Sequence, residues 1–121
     1  MDWYNHRVEI IKQPVPRSHL IPLAEKMDGE LVKAVVDINA GLIALDSPMH
    51  VDLEALLLDN GSEQSALWGI NLYPEISNED WLEYDSVINL RPGDGNRSRG
   101  VDDPNVKERI RVLVNSLFAA S

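Results

Sequence analysis

Leu31-Val32-Lys33-Ala34-Val35-Val36-Asp37-Ile38-Asn39-Ala40-Gly41-Leu42-Ile43-Ala44-Leu45 is the stretch that sets the fold class. Its first part alternates. Val32, Ala34, Val36 and Ile38 fall on one side and Lys33, Val35 and Asp37 on the other, which is the period of a strand. Asn39-Ala40-Gly41 then reads as a three-residue connection, with glycine in the position that takes the positive φ of a bulged hairpin. Leu42 to Leu45 is the return strand.

On the N-terminal side, Val8 to Ile11 is apolar and is soon broken by Pro14 and Pro16, as a short edge strand or a lead-in. Ser18 to Met27 reads as a helix closed by Asp28-Gly29, starting near His19 or Leu20 because Pro22 lies within it. Residues 1–17 are therefore an N-terminal extension or edge segment, and 18–121 a single α+β domain.

On the C-terminal side, Ser47 to Asn60 has two readings. As a helix it has Ser47 as cap, Pro48 in the first turn, an apolar stripe of Leu53, Leu56 and Leu57, and Gly61 at its end. As a strand it places Val51, Leu53, Ala55 and Leu57 on one face; the helix is preferred. Trp68 to Tyr73 alternates until Pro74, with Trp68, Ile70 and Leu72 inward. Trp81 to Arg91 reads as a longer strand, with Leu82, Tyr84, Ile88 and Leu90 toward the core. Asp102-Asp103-Pro104 opens a helix whose apolar positions, Val106, Ile110, Leu113, Val114, Leu117 and Phe118, recur at helical spacing. The order α-β-β-α-β-β-α, with two hairpins and no βαβ unit, predicts an α+β fold: a mainly antiparallel four-stranded sheet with helices on one face.

A chain of 121 residues can bury a core without cross-links. It has no cysteine, which removes disulfides, thiolate nucleophiles and cysteine-ligated metal sites, and suits a reducing compartment. Uninterrupted apolar runs reach only about four residues, as in Ala55 to Leu58, too short to cross a membrane. Met1 to Arg7 lacks the basic start and apolar stretch of a signal peptide, so the expected location is cytoplasmic. The formal net charge is -9, and between Asp28 and Asp85 thirteen acids face Lys33 alone. Such a body repels a phosphate backbone, which disfavours nucleic acid as a partner. From Arg91 to Arg111 the balance reverses, with six bases against four acids.

Four strings stand out: Val32-Lys33-Ala34-Val35-Val36-Asp37-Ile38, His50-Val51-Asp52-Leu53-Glu54, Leu67-Trp68-Gly69-Ile70-Asn71-Leu72-Tyr73-Pro74, and Ile88-Asn89-Leu90-Arg91-Pro92 running into Gly95-Asn96-Arg97-Ser98. Together they resemble a family of small prokaryotic proteins of unknown function, over most of the chain from about Leu20 onward. The resemblance implies a compact domain. It carries no activity, ligand, cofactor or catalytic residue.

Three constellations are candidates for function. Gly93 to Gly100 lies between a strand and a helix, and Arg91, Asn96, Arg97, Ser98 and Arg99 form a candidate anion site of backbone N–H, guanidinium and hydroxyl groups. The loop fails the dinucleotide pattern at Ser98 and the P-loop pattern at Val101. The competing and preferred account pairs Arg97 and Arg99 with the protein's own acids and fills the helix end with Asp102 or Asp103. The second constellation is His50, Asp52 and Glu54, candidate acid–base or metal groups that Asp85 or Asp37 would complete; a polar helix turn is the preferred account, and no metal is assigned. The third is the sheet face bearing Lys33, Asp37, Asn71, Tyr73, Glu83, Asp85, Asn89 and Arg91, expected in water, with Val35, Val87 and Trp81 among them as a partner surface.

Two functions follow. The preferred one is a binding or interaction domain without catalytic activity, acting as a homodimer or on a protein partner through the sheet face. The alternative is a protein or enzyme binding a small anion, phosphate or nucleotide-like, at the Gly95 to Gly100 loop. The first requires Trp81 and Val87 at the surface; the second requires the Arg97 loop and His50 to meet.

Overall fold

A computed structural model describes residues 8–27 and 29–120. The hairpin lies inside an antiparallel sheet of five strands: β1 (Glu9–Ile11), β2 (Val32–Asp37), β3 (Leu42–Leu45), β4 (Leu67–Leu72) and β5 (Leu82–Glu83), in spatial order β1-β3-β2-β4-β5. Asp37 fixes its turn. The carboxylate accepts from Asn39 N at 2.9 Å, Ala40 N at 2.8 Å and Ser62 Oγ at 2.6 Å. Gly41, at φ 73°, returns its N–H to Asp37 O at 2.9 Å. Among the described residues three helices complete the fold: α1 (Ile21–Met27), α2 (His50–Asp59) and α3 (Pro104–Leu117).

The sheet has one strand more than the sequence predicts, and the chain order is β-α-β-β-α-β-β-α. The extra strand is β1, which pairs Ile10 with Ala44 and Ile11 with Ile43. Proline beyond it confines so short a segment to a sheet edge.

Both faces of the sheet are covered, which corrects the expectation of helices on one face. Val32, Ala34, Val36, Ile43, Leu45, Ile70 and Leu72 pack with Leu20 and Ala24 before and in α1, and with Ile110, Val114 and Leu117 of α3. On the other face Val35, Ala44 and Leu67 pack with Leu53 and Leu57 of α2. The reason lies in the alternate positions: Ile10, Val35, Ala44 and Leu67 make the second face too apolar to leave wet, at about 0.8 kcal/mol per buried methylene. The middle of the sheet face expected to meet a partner is thus covered, while Lys33, Tyr73, Glu83 and Asp85 on the same side stay half-buried. Val35 is fully buried, and Trp81 lies in the larger core, edge-on to Phe118 at 5.9 Å. Val87 alone of the three stays exposed.

The long strand expected from Trp81 to Arg91 breaks after Glu83. Ser86 caps a short 3-10 turn, Val87–Asn89, by accepting from Ile88 N at 3.3 Å. Ile88 then turns to the α2 side and Leu90 to solvent. This leaves most of the outer edge of β4 without a partner strand, and side chains close it. Asn89 is buried; its Oδ1 accepts from Gly69 N at 2.9 Å and its Nδ2 donates to Gly69 O at 3.0 Å, the two bonds a neighbouring strand residue makes. Arg91 Nη2 donates to Leu67 O at 2.9 Å and Nη1 to Gln64 O at 2.6 Å.

Helix ends follow local chemistry with two shifts. A 3-10 turn, Arg17–Leu20, leads into α1, and Gly29 N–H bonds back to Ala24 O at 2.9 Å; Asp28, like Met1 to Arg7, lies outside the described residues. The α2 N-cap is Met49 rather than Ser47, and no side chain caps it. Asp103 caps α3, accepting from Asn105 N at 2.8 Å. Among the described residues no helix is long and apolar enough to cross a membrane.

Candidate functional site

The 86–100 segment is held by its own polar side chains. Asn96, buried, donates from Nδ2 to Asn89 O at 2.7 Å, Gly100 O at 2.8 Å and Ser98 O at 3.1 Å, and accepts at Oδ1 from Asp102 N at 2.8 Å. Asp102 accepts from Ser98 Oγ and from Arg97 N at 2.6 Å. These bonds, that from Ser98 foremost, hold its carboxyl below the usual carboxylate range. Arg91 lies over the Trp68 ring at 4.1 Å, and burial lowers its pKa while Glu54 opposes that shift. The N–H groups of Asp94, Gly95, Asn96, Arg97 and Gly100 and the Ser98 hydroxyl therefore already have partners. Arg97 has no side-chain partner among the described residues, and Arg99 Nε donates to Asp85 Oδ1 at 2.6 Å.

A different patch forms on the α2 side of the sheet. Lys33 and Asn71 are direct cross-strand neighbours, and Asn71 faces Glu83 of β5 across its other edge. Asn71 Nδ2 donates to Glu83 Oε1 at 2.8 Å and to Asp85 O at 3.3 Å, which sets the orientation of the amide. Tyr73 OH donates to the same Glu83 oxygen at 3.0 Å; burial first, and Glu83 next, push that phenol up to about 12.

The first residue of α2 overhangs this patch. His50 Nε2 lies 2.8 Å from Ile70 O. A carbonyl only accepts, so Nε2 carries the proton and Nδ1 is left as an acceptor. Burial pushes the imidazole below its ordinary 6.5, with Lys33 acting in the same direction and Ile70, Asp85 and Asn71 opposing. His50 is thus largely neutral at pH 7. Among the described residues two groups beside it lack a hydrogen-bond partner: Asn71 Oδ1, which is buried, and Lys33, which is half-buried.

Of the residues singled out in the sequence, His50 from α2 and Asp85 from the segment after β5 come together here, and Arg99 of the glycine-rich loop joins through its pair with Asp85. Asp52 and Glu54 do not join them as one face: α2 is a helix, and Glu54 turns inward toward Arg91. Asn96, Ser98 and Arg91 serve the loop and the β4 edge. Among the described residues no three His, Asp or Glu side chains are grouped to hold a metal ion. Lys33, Asn71, Tyr73 and Glu83 complete the patch. Strand alternation places them on one face, but nothing in the local pattern brings a helix N-terminus over them.

A groove of about 470 Å³ lies elsewhere, between β5 and α3, lined by Trp81, Tyr84, Lys107, Glu108 and Arg111. Its cations are engaged: Arg111 pairs with Glu108, and Lys107 lies over the Tyr84 ring at 4.9 Å.

An antiparallel five-stranded sheet with helices on both faces, one strand edge sealed by asparagine and arginine side chains, and a polar patch under the start of α2 define a small α+β domain. The chain belongs to the family described as Protein of unknown function (DUF5674), whose model matches residues 9–117. No curated protein and no solved structure matches the chain.

Proposed function

We propose that this protein is a binding domain for a small organic anion that also carries a hydrogen-bond donor, held at the His50 patch. One observation carries the reading: Lys33, the sole base among thirteen acids from Asp28 to Asp85, is half-buried and without a partner among the described residues, beside a neutral imidazole. A cation that gives up water without gaining a partner is disfavoured, and a carboxylate or phosphate oxygen restores what it lost.

In this reading Lys33 takes the ligand's charge and His50 Nδ1 accepts its donor. Arg99 adds a second positive group, because its exposed pair with Asp85 is worth only about 0–1 kcal/mol and exchanges readily. Asn71, Tyr73 and Glu83 hold the floor rigid. Only Arg99 of the glycine-rich loop takes part. The cysteine-free composition suits a reducing compartment, so cytoplasmic metabolites are the ligands to try first.

Melting of the whole chain against inorganic phosphate, citrate and nucleoside monophosphates tests the idea. A ligand at a hundred times its Kd adds about 2.7 kcal/mol, a rise of about 10 °C for a domain this size. We expect such a rise with at least one anion, abolished in Lys33→Met and reduced in His50→Gln. No rise with any of them, or a rise that persists in Lys33→Met, refutes it.

A further inference from the structure

The helix α2 is apolar on two sides. Leu53 and Leu57 are buried against the sheet, while Val51, Ala55 and Leu58 face outward at i, i+4 and i+7, with Val51 47% and Leu58 39% exposed. A helix with a single apolar stripe needs only one neighbour; one that is apolar all round is normally enclosed. The Val87–Asn89 turn packs beside α2 and adds Val87, 61% exposed, with Leu90 just beyond it. The result is an apolar strip bounded by acids: Asp52 and Asp59 on the helix and Glu63 after it, with no lysine or arginine from His50 to Glu63.

From this surface we infer a docking site for an amphipathic basic helix of a protein partner, its apolar stripe on Val51, Leu58 and Val87 and its lysines or arginines on the acidic rim. Charge decides the occupant. A second copy of the chain, packed about a two-fold axis, brings one copy's Asp52 and Asp59 against the same acids of the other, and like charges across an interface oppose association. A basic helix meets the apolar strip and the acids together, the arrangement of helix-in-groove recognition. The site uses the outer side of α2 and is independent of the His50 patch, so either stands if the other fails.

The test uses the full chain and a labelled Lys/Leu peptide of about four helical turns, with leucines at i, i+3, i+4 and i+7. Fluorescence anisotropy compares it with a Glu/Leu peptide of the same spacing. The expected result is saturable binding of the Lys/Leu peptide alone, weakened about tenfold or more by Val51→Lys or Val87→Lys. Val112→Lys makes the same charge change at another exposed valine, on α3, and is expected to leave affinity within about twofold. Because all three valines are exposed, the melting temperature of each variant shows that the fold is intact. Absence of binding, equal binding of both peptides, or equal weakening by Val112→Lys overturns the inference. So does a dimer of the unliganded chain that Val51→Lys dissociates, which makes a second copy the occupant.

Discussion

Gly69→Ala tests the side-chain-built edge of β4 directly. A Cβ placed on Gly69 lies 2.5 Å from Ser86 Cβ, 2.6 Å from Ser86 Oγ and 3.1 Å from Ile88 Cγ1. Carbon atoms need about 3.5–4 Å, so Ser86 must retreat by about 1 Å. It cannot do so alone. Ser86 is buried, its N–H donates to Arg99 O at 2.9 Å, and the following turn carries Asn89, bonded to Gly69 at 2.9 and 3.0 Å. Lengthening those contacts by that amount ends them as hydrogen bonds. Overpacking costs about 1–3 kcal/mol, and the two Asn89 bonds contribute about 1 kcal/mol each. The expected loss is therefore about 3–5 kcal/mol, a large part of the stability of a small domain. Urea denaturation of the wild type, Gly69→Ala, Ser86→Gly and the double variant gives the coupling. Ser86→Gly removes both atoms of closest approach, so Gly69→Ala should cost less than about 1 kcal/mol in that background. A small loss in the wild-type background, or a loss unchanged by Ser86→Gly, refutes the claim that the 86–89 turn rests on Gly69.

Two further outcomes follow from the geometry. Asn96→Ala leaves three carbonyls and the Asp102 N–H without their side-chain partner and is expected to cost about 3 kcal/mol by urea denaturation; Asn96→Asp is expected to be as damaging, because a carboxylate then faces those carbonyl oxygens. For His50 the folded pKa lies below the unfolded value of 6.5, so in that window the unfolded chain binds a proton that the folded chain does not. Stability is full above pH 6.5 and falls as the pH drops through the window; His50→Gln should flatten that part of the profile, and an unchanged slope between pH 7 and 5 counts against the buried, neutral imidazole.

The legibility of this fold in its sequence varied by residue in an instructive way. Alternation sorted Val32, Ala34 and Val36 from Lys33 and Val35, and each set does lie on its own side of the sheet. The same alternation misled from Trp81 to Arg91, where Ser86 and Asn89 offer the backbone side-chain partners that compete with a ladder. The Ile88-Asn89-Leu90-Arg91 string looks like a strand in period, yet its asparagine and arginine complete the neighbouring strand rather than extend a new one. Val35 read as exposed because one face of the sheet was expected in water, and Trp81 because it was counted as a strand residue, whereas it ends a 3-10 turn, Glu79–Trp81, and enters the larger core.

The candidate patch shows the same division. Lys33, Asn71, Tyr73 and Glu83 were all placed on one face by counting, and His50 was noticed for its neighbours Asp52 and Glu54. The chain brought His50 instead to Ile70 and Lys33, through the packing of Leu53 and Leu57 on Val35. By itself, then, the sequence determined what depends on neighbours along the chain: the hairpin, the helical character of α3, and the aspartate and glycine that end elements, while α2 stood between helix and strand with the helix preferred. Only the tertiary structure decided which face α2 covers, that Asn89 replaces a strand, and that Lys33, His50 and Arg99 share one patch. Those outcomes rest on contacts between residues tens of positions apart, and local periodicity reports the angle at which a side chain leaves its own element, not the element it will meet.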